Sequence, residues 1–117
     1  MSTGARTPEQ LEALFEDAFV TRDAQTLSAM FADGGVLALQ ARPNAARGTA
    51  EIGRLAAALW ESDRTYVAAP RRVLQARDIA LVVADNAINV VRRGRDGAWV
   101  YAIALLSVDA ATTPEGR

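Results

Sequence analysis

Cysteine and histidine are both absent from this 117-residue chain, and all 13 of its basic residues are arginine. Without cysteine there is no disulfide framework, no thiolate metal site and no cysteine nucleophile. Without histidine or lysine there is no histidine triad, no histidine or lysine general base, no Schiff-base lysine and no phosphate-loop lysine. Acid–base work must therefore fall to Asp, Glu, Tyr or bound water. The formal net charge is only −1, which gives no electrostatic footprint for nucleic acid or an anionic membrane. Residues 1–10 lack the apolar stretch of a signal peptide. The longest apolar run, residues 98–106, is about half a membrane crossing and reads as a buried strand. The expectation is a cytoplasmic bacterial protein with no metal, no organic cofactor and no nucleic-acid or membrane partner.

What is present belongs to an ordinary globular chain, 50% hydrophobic and 23% charged. That length suits one domain, residues 1–117, with an ordered core over about 8–108 and small, polar ends that should fray. Thr7 as cap, Pro8 at the first helical position and Gln10 three residues after the cap mark a helix start. Leu11, Leu14, Phe15, Ala18 and Phe19 follow at helical spacing as one buried stripe, with Glu9, Glu12 and Glu16 expected on the polar side. Asp23 caps a short second helix that buries Leu27, Met30 and Phe31 and that Asp33-Gly34-Gly35 ends. Residues 36–41 read as a strand closed by Arg42-Pro43-Asn44, and Thr49 as the cap of a third helix carrying Ile52, Leu55, Ala56, Leu59 and Trp60.

Beyond Ser62 the period changes to that of strands, over residues 65–76, 79–91 and 98–108, with short connections that make neighbours antiparallel. Pro70 cannot donate a ladder bond, so its strand belongs at a sheet edge. The second and third of these strands are apolar on both faces, so both faces need cover. Helices supply one cover, and a second copy of the chain is the simplest other. The expectation is a homodimer through the sheet face.

Several stretches together resemble one family. Leu14-Phe15-Glu16-Asp17-Ala18-Phe19 with Arg22-Asp23 looks like its first helix and turn, and residues 27–37, LSAMFADGGVL, like its second helix and first strand. Arg47-Gly48-Thr49-Ala50-Glu51-Ile52 looks like its third-helix start, while residues 78–82 and 92–99 look like its later hairpins. In this order they resemble the nuclear transport factor 2-like superfamily, in its SnoaL-like and ketosteroid isomerase-like branch. The resemblance implies an α+β fold: a cone-shaped, curled antiparallel sheet wrapped around three N-terminal helices, leaving a mostly apolar pocket with one mouth. It also implies a choice among isomerases, polyketide cyclases, dehydratases, epoxide hydrolases and non-catalytic binding or dimerisation modules, which fold alone does not decide. The catalytic set of ketosteroid isomerases has no match here. The positions of its aspartate base and its tyrosine fall at about Leu39 and Phe15, and the aspartate common on the last strand of SnoaL-like relatives falls at about Ala104.

Asp85, Asn86 and Asn89 interrupt apolar strand sequence, and each needs a partner or a purpose if buried. Read as one continuous strand, residues 79–91 place Asn86 with Ala80, Val82 and Ala84, and Asp85 with Asn89 on the opposite face. Assigning the alanine-rich faces to the interior makes Asn86 the chief polar group of a pocket with Phe15, Phe19, Leu39, Trp60, Ala102 and Ala104. Asn86 is then a ligand anchor, a satisfied core amide, or the tip of a tight Asp-Asn turn. On that assignment Asp85 and Asn89 lie near the dimer face with Trp99 and Tyr101. The inverted assignment makes Asp85 the candidate base. Glu16-Asp17, Glu61 with Asp63, and the arginine clusters at 71–72 and 92–95 read as solvated surface. The expected function is enclosure of a hydrophobic small molecule, such as a polyketide-like or terpenoid intermediate, with or without turnover.

Overall fold

The computed structural model describes residues 4–40, 42–107 and 109–110. Fraying was expected at residues 1–6 and 110–117, and where these are described it is not found: Ala5 is buried in the core and its carbonyl accepts the Trp99 N–H at 2.9 Å, and Ala110 pairs with Arg64. Residues 1–3 and 111–117, and the expected strand ends at Ala41 and Val108, lie outside the described residues. Helix α1, Pro8–Thr21, begins as its sequence predicts: extended Thr7 accepts the Gln10 N–H at 3.0 Å and Pro8 occupies the first turn. It ends where Arg22 turns left-handed at φ 58°. Asp23 caps α2, Ala24–Ala29, accepting from the backbone N–H and the hydroxyl of Thr26 at 3.1 and 2.7 Å. Those bonds hold its carboxyl below the ordinary range. The third cap differs from expectation. Helix α3, Gly48–Glu61, starts one residue before Thr49, its cap position is Arg47, and Glu51 reaches back to the Arg47 N–H at 2.9 Å.

The main sheet has six strands: β1 (Phe31–Leu39), β2 (Ala46–Arg47), β4 (Pro70–Ala76), β5 (Ile79–Ala84), β6 (Ala87–Arg93) and β7 (Trp99–Leu106), in the order β2-β1-β7-β6-β5-β4. The remaining pair, β3 (Arg64–Thr65) and β8 (Asp109–Ala110), forms a small second ladder. The architecture is the expected α+β one, a curled sheet around three helices. The sheet is mixed, because β1 runs parallel to β7 while every other pairing is antiparallel. Pro70 opens the edge strand β4, where its missing N–H costs no ladder bond.

Three sequence expectations about strands need correction. Phe31 and Asp33-Gly34-Gly35 belong to β1 rather than to the end of α2. The two glycines serve an irregularity there: the register shifts between Phe31 and Val36, Gly34 has φ +76°, and a Cβ on Gly35 would stand 2.9 Å from the Ala32 carbonyl oxygen. Next, residues 79–91 are two strands, since Asp85 and Asn86 form a hairpin turn closed by the Ala84–Ala87 pair. A two-residue turn keeps paired residues on one face, so Ala87, Asn89 and Val91 share the face of Ala84, Val82 and Ala80. Finally, a bulge at Ala102 breaks the alternation of β7, and Trp99, Tyr101, Ala104 and Leu106 all turn inward.

These phase changes sort the sheet into two rows. Val73, Val82, Asn89, Ala104 and Leu37 follow one another across five strands on the inner face. Leu74, Leu81, Val90, Ile103 and Val36 do the same on the outer face. Helix α1 packs inside against β4 and β7, and α3 against β1. All seven aromatic side chains are buried. Leu74, Ile79, Ile88 and Ile103 of the outer face are each about half exposed in the single chain.

Candidate functional site

The inner face buries one charged side chain. Glu12, at the start of the second turn of α1, is 1% exposed, contrary to the solvated position expected for it. Its helical neighbours explain why: it stands one turn from Pro8 and from Phe15 and two turns from Phe19, all buried. The sheet curls over more of α1 than the single apolar stripe Leu11–Phe15–Ala18 requires. Glu12 Oε2 accepts from the Tyr101 hydroxyl at 2.7 Å and from Asn89 Nδ2 at 2.9 Å. Asn89 and Tyr101, expected at the dimer face, therefore meet inside the cone.

Burial pushes the Glu12 carboxyl above its ordinary range, against the opposing pull of the Tyr101 and Asn89 hydrogen bonds. Burial, then the Glu12 charge, pushes the Tyr101 phenol well up, and the same causes together with Glu16 raise Tyr66. Glu12 Oε1, Asn89 Oδ1 and the Tyr66 hydroxyl are buried with no partner among the described residues. Both donors converge on Oε2, so a proton taken up by Glu12 goes to Oε1. A carboxyl held toward its neutral form in an apolar setting, with a free oxygen, has the character of a general acid or base.

The expected site residues are dispersed. Asp85 is exposed in the hairpin turn and pairs with Arg71 at 3.1 Å. Asn86, the other turn residue, donates from Nδ2 to the Val67 carbonyl at 2.9 Å. Neither follows the face of Val82 into the interior, because the turn interrupts the strand that would have carried them there. The backbone carbonyl of Asn86 accepts from Ser107 N–H at 2.8 Å, and its Oδ1 has no partner among the described residues. Phe15, Phe19 and Trp60 pack against other rings: Phe15 lies 5.4 Å from Tyr66 and 5.2 Å from Tyr101, and Phe19 lies 5.7 Å from Trp60. These contacts fill the middle of the cone that was expected to be hollow. Ala104 is fully buried beside Asn89, Ala102 is half-buried at the bulge, and Leu39 faces a cavity.

That cavity, about 710 Å³, lies at the C-terminal ends of β1, α3 and β7. Its apolar wall is Leu39, Ala58, Leu59 and Leu106, at the ends of β1, α3 and β7. Its polar side is Gln40, Arg42, Ser62, Arg64 and Ser107. Asn89, which holds Glu12, pairs with Ala104 and stands two residues, about 7 Å, along β6 from Ala87, the partner of the cavity-lining Leu106; Glu12 itself does not line the cavity. The sequence did hold a signal for the buried acid, namely a glutamate spaced three and seven residues before two phenylalanines.

No protein-family model and no curated protein matches the chain. Solved structures do. A ketosteroid isomerase-like protein from Erwinia carotovora atroseptica aligns with a TM-score of 0.72 at 23% identity, over 87% of this chain and 93% of that one. An NTF2-like protein with a cystatin-like fold from Novosphingobium aromaticivorans aligns with a TM-score of 0.66 at 19% identity, over 88% and 80%. A protein from Catenulispora acidiphila in complex with S-DNPA aligns with a TM-score of 0.66 at 16% identity, over 86% and 90%.

Proposed function

We propose that this chain, which has the nuclear transport factor 2-like fold, encloses a hydrophobic small molecule at the mouth of its cone and moves a proton through Glu12. The reaction class is isomerisation, cyclisation or dehydration. One observation carries the reading: among the described acids only Glu12 is fully buried, its carboxyl is pushed up by that burial, and Asn89, which holds it, lies two residues along β6 from Ala87, the strand partner of the cavity-lining Leu106. The cavity volume falls in the range of small-ligand sites, about 300–1,000 Å³, and the Catenulispora relative is itself a small-molecule complex. Glu12 Oε1 is the proton acceptor or donor, while Tyr101 and Asn89 fix the carboxyl group through Oε2. Entry of the ligand to Oε1 requires the side chains around Ala104 and Leu106 to part, which excludes water once they close. Asn86 braces the strand end beside the cavity, its backbone carbonyl accepting from the N–H of the lining residue Ser107 and its side-chain amide donating to the Val67 carbonyl. Asp85, exposed and paired with Arg71 in the hairpin turn, is not placed to reach an enclosed ligand.

The outer face bears on assembly. The row Leu74, Leu81, Val90, Ile103 and Val36 is apolar across five strands, and a second copy laid on it isologously covers it in both chains. This homodimer belongs to the proposal. A second reading, a binding or dimerisation module without turnover, draws on the near-complete burial of Glu12 and on that same face.

Native mass spectrometry of the purified protein identifies the small molecule it carries, and that compound and its analogues become the substrates for assay. Glu12→Gln is expected to retain binding and lose turnover by roughly 10²-fold or more. Binding with no turnover by the wild type establishes the module reading. Turnover unaffected by Glu12→Gln removes this residue from the chemistry.

A further inference from the structure

Three of the twelve described arginines are held in ion pairs, and two of the remaining nine stand at one cavity. Arg22, Arg71 and Arg93 each hold an aspartate, Asp63, Asp85 and Asp78 respectively. Arg42 and Arg64 both line the mouth cavity, and neither has an ion-pair partner among the described residues. None of the nine lining residues is acidic. Local geometry brings the two cations there. Arg42 follows the end of β1 in a tight turn, its N–H donating to the Leu39 carbonyl at 3.1 Å. Arg64 follows Asp63, whose left-handed backbone, φ 59°, ends the α3 connection and whose carboxylate is engaged by Arg22 at 3.3 Å. Of the carbonyls in the last turn of α3, those of Ala58, Leu59 and Trp60 accept from the Ser62 and Asp63 N–H groups.

We infer that the mouth selects an amphipathic carboxylate, with its apolar body against Leu39, Leu59 and Leu106 and its carboxylate held by Arg42 and Arg64. Guanidinium forks match a carboxylate in two parallel hydrogen bonds, which a hydrated ammonium cannot do. The inference rests on the proposed occupation of the mouth by an apolar molecule and adds the group by which that molecule is recognised.

Decanoate, decanol, decyltrimethylammonium and inorganic phosphate, each titrated calorimetrically, test it. Decanoate is expected to bind about tenfold or more tightly than decanol, and decyltrimethylammonium more weakly still. Arg42→Gln and Arg64→Gln are each expected to weaken decanoate severalfold and leave decanol unchanged, while Arg95→Gln, at an exposed hairpin, changes neither. Amide shifts of Leu39, Leu106 and Ser107 locate the bound decanoate. Equal affinity for decanoate and decanol overturns the carboxylate inference but leaves the apolar mouth standing. Failure of both to bind overturns the mouth reading itself. Phosphate binding as tightly as decanoate, or decanoate insensitive to both arginine variants, also overturns the inference.

Discussion

Tyr101→Phe isolates the interaction that holds the buried acid. The ring keeps its place, because its contacts with Phe15 and Phe31, both at 5.2 Å between centroids, do not involve the hydroxyl. What disappears is the 2.7 Å bond from the hydroxyl to Glu12 Oε2. A hydrogen bond to a charged group contributes about 1.5–3 kcal/mol and one between neutral groups about 0.5–1.5. Glu12 changes from neutral to charged as pH rises through its raised pKa, so the cost of Tyr101→Phe should climb across that titration, from about 1 to about 2–3 kcal/mol. By linkage that climb is the same quantity as the further rise of the variant's Glu12 pKa, about 1.4 kcal/mol for each unit. Urea unfolding followed by the fluorescence of buried Trp60 and Trp99, from about pH 5 to about pH 9, measures the stabilities. The same series in a Glu12→Gln background should show a flat cost of about 1 kcal/mol. A cost independent of pH in the wild-type background, or equal slopes in both backgrounds, refutes the placement of an ionisable Glu12 against Tyr101.

Three further outcomes are expected. Because the folded-state pKa of Glu12 lies above its unfolded value, the folded state binds the extra proton in between, and this group makes stability fall as pH rises through that window; Glu12→Gln should flatten that segment of the stability–pH curve. Gly35→Ala should destabilise by about 1–3 kcal/mol, since its Cβ would stand 2.9 and 3.1 Å from the carbonyl oxygens of Ala32 and Tyr101. By contrast Gly53→Ala, in open space within α3, should stabilise by about 0.5–1 kcal/mol in the same thermal or urea assay. Ile103→Arg, in the middle of the outer row, should convert a dimer to a monomer in sedimentation at micromolar concentration without changing the circular dichroism; a wild type that already sediments as a monomer defeats the dimer proposal.

By itself the sequence determined the parts that depend on neighbours along the chain. Thr7-Pro8 and Asp23 announce two helix starts because caps act over three residues, and Pro70 announces an edge because it has no N–H to give. The three helices and the change to strands after Ser62 were legible, and with them the fold class; the short strands β2, β3 and β8 and the division of residues 79–91 into two strands were not. Only the tertiary structure decided which side chains face inward beyond Asp85. A hairpin turn at 85–86 and a bulge at Ala102 each reset the period-two count, and a count along the chain carries no record of such a reset. Glu12 is the sharper case. Helical spacing puts it beside Phe15 as readily as beside solvent, and its burial is fixed by how far the curled sheet reaches round α1 to bring Asn89 and Tyr101 onto one carboxylate oxygen. The same holds for Arg42 and Arg64, 22 residues apart in sequence yet lining one cavity. Contacts across such separations are set by packing between elements, which local pattern does not encode.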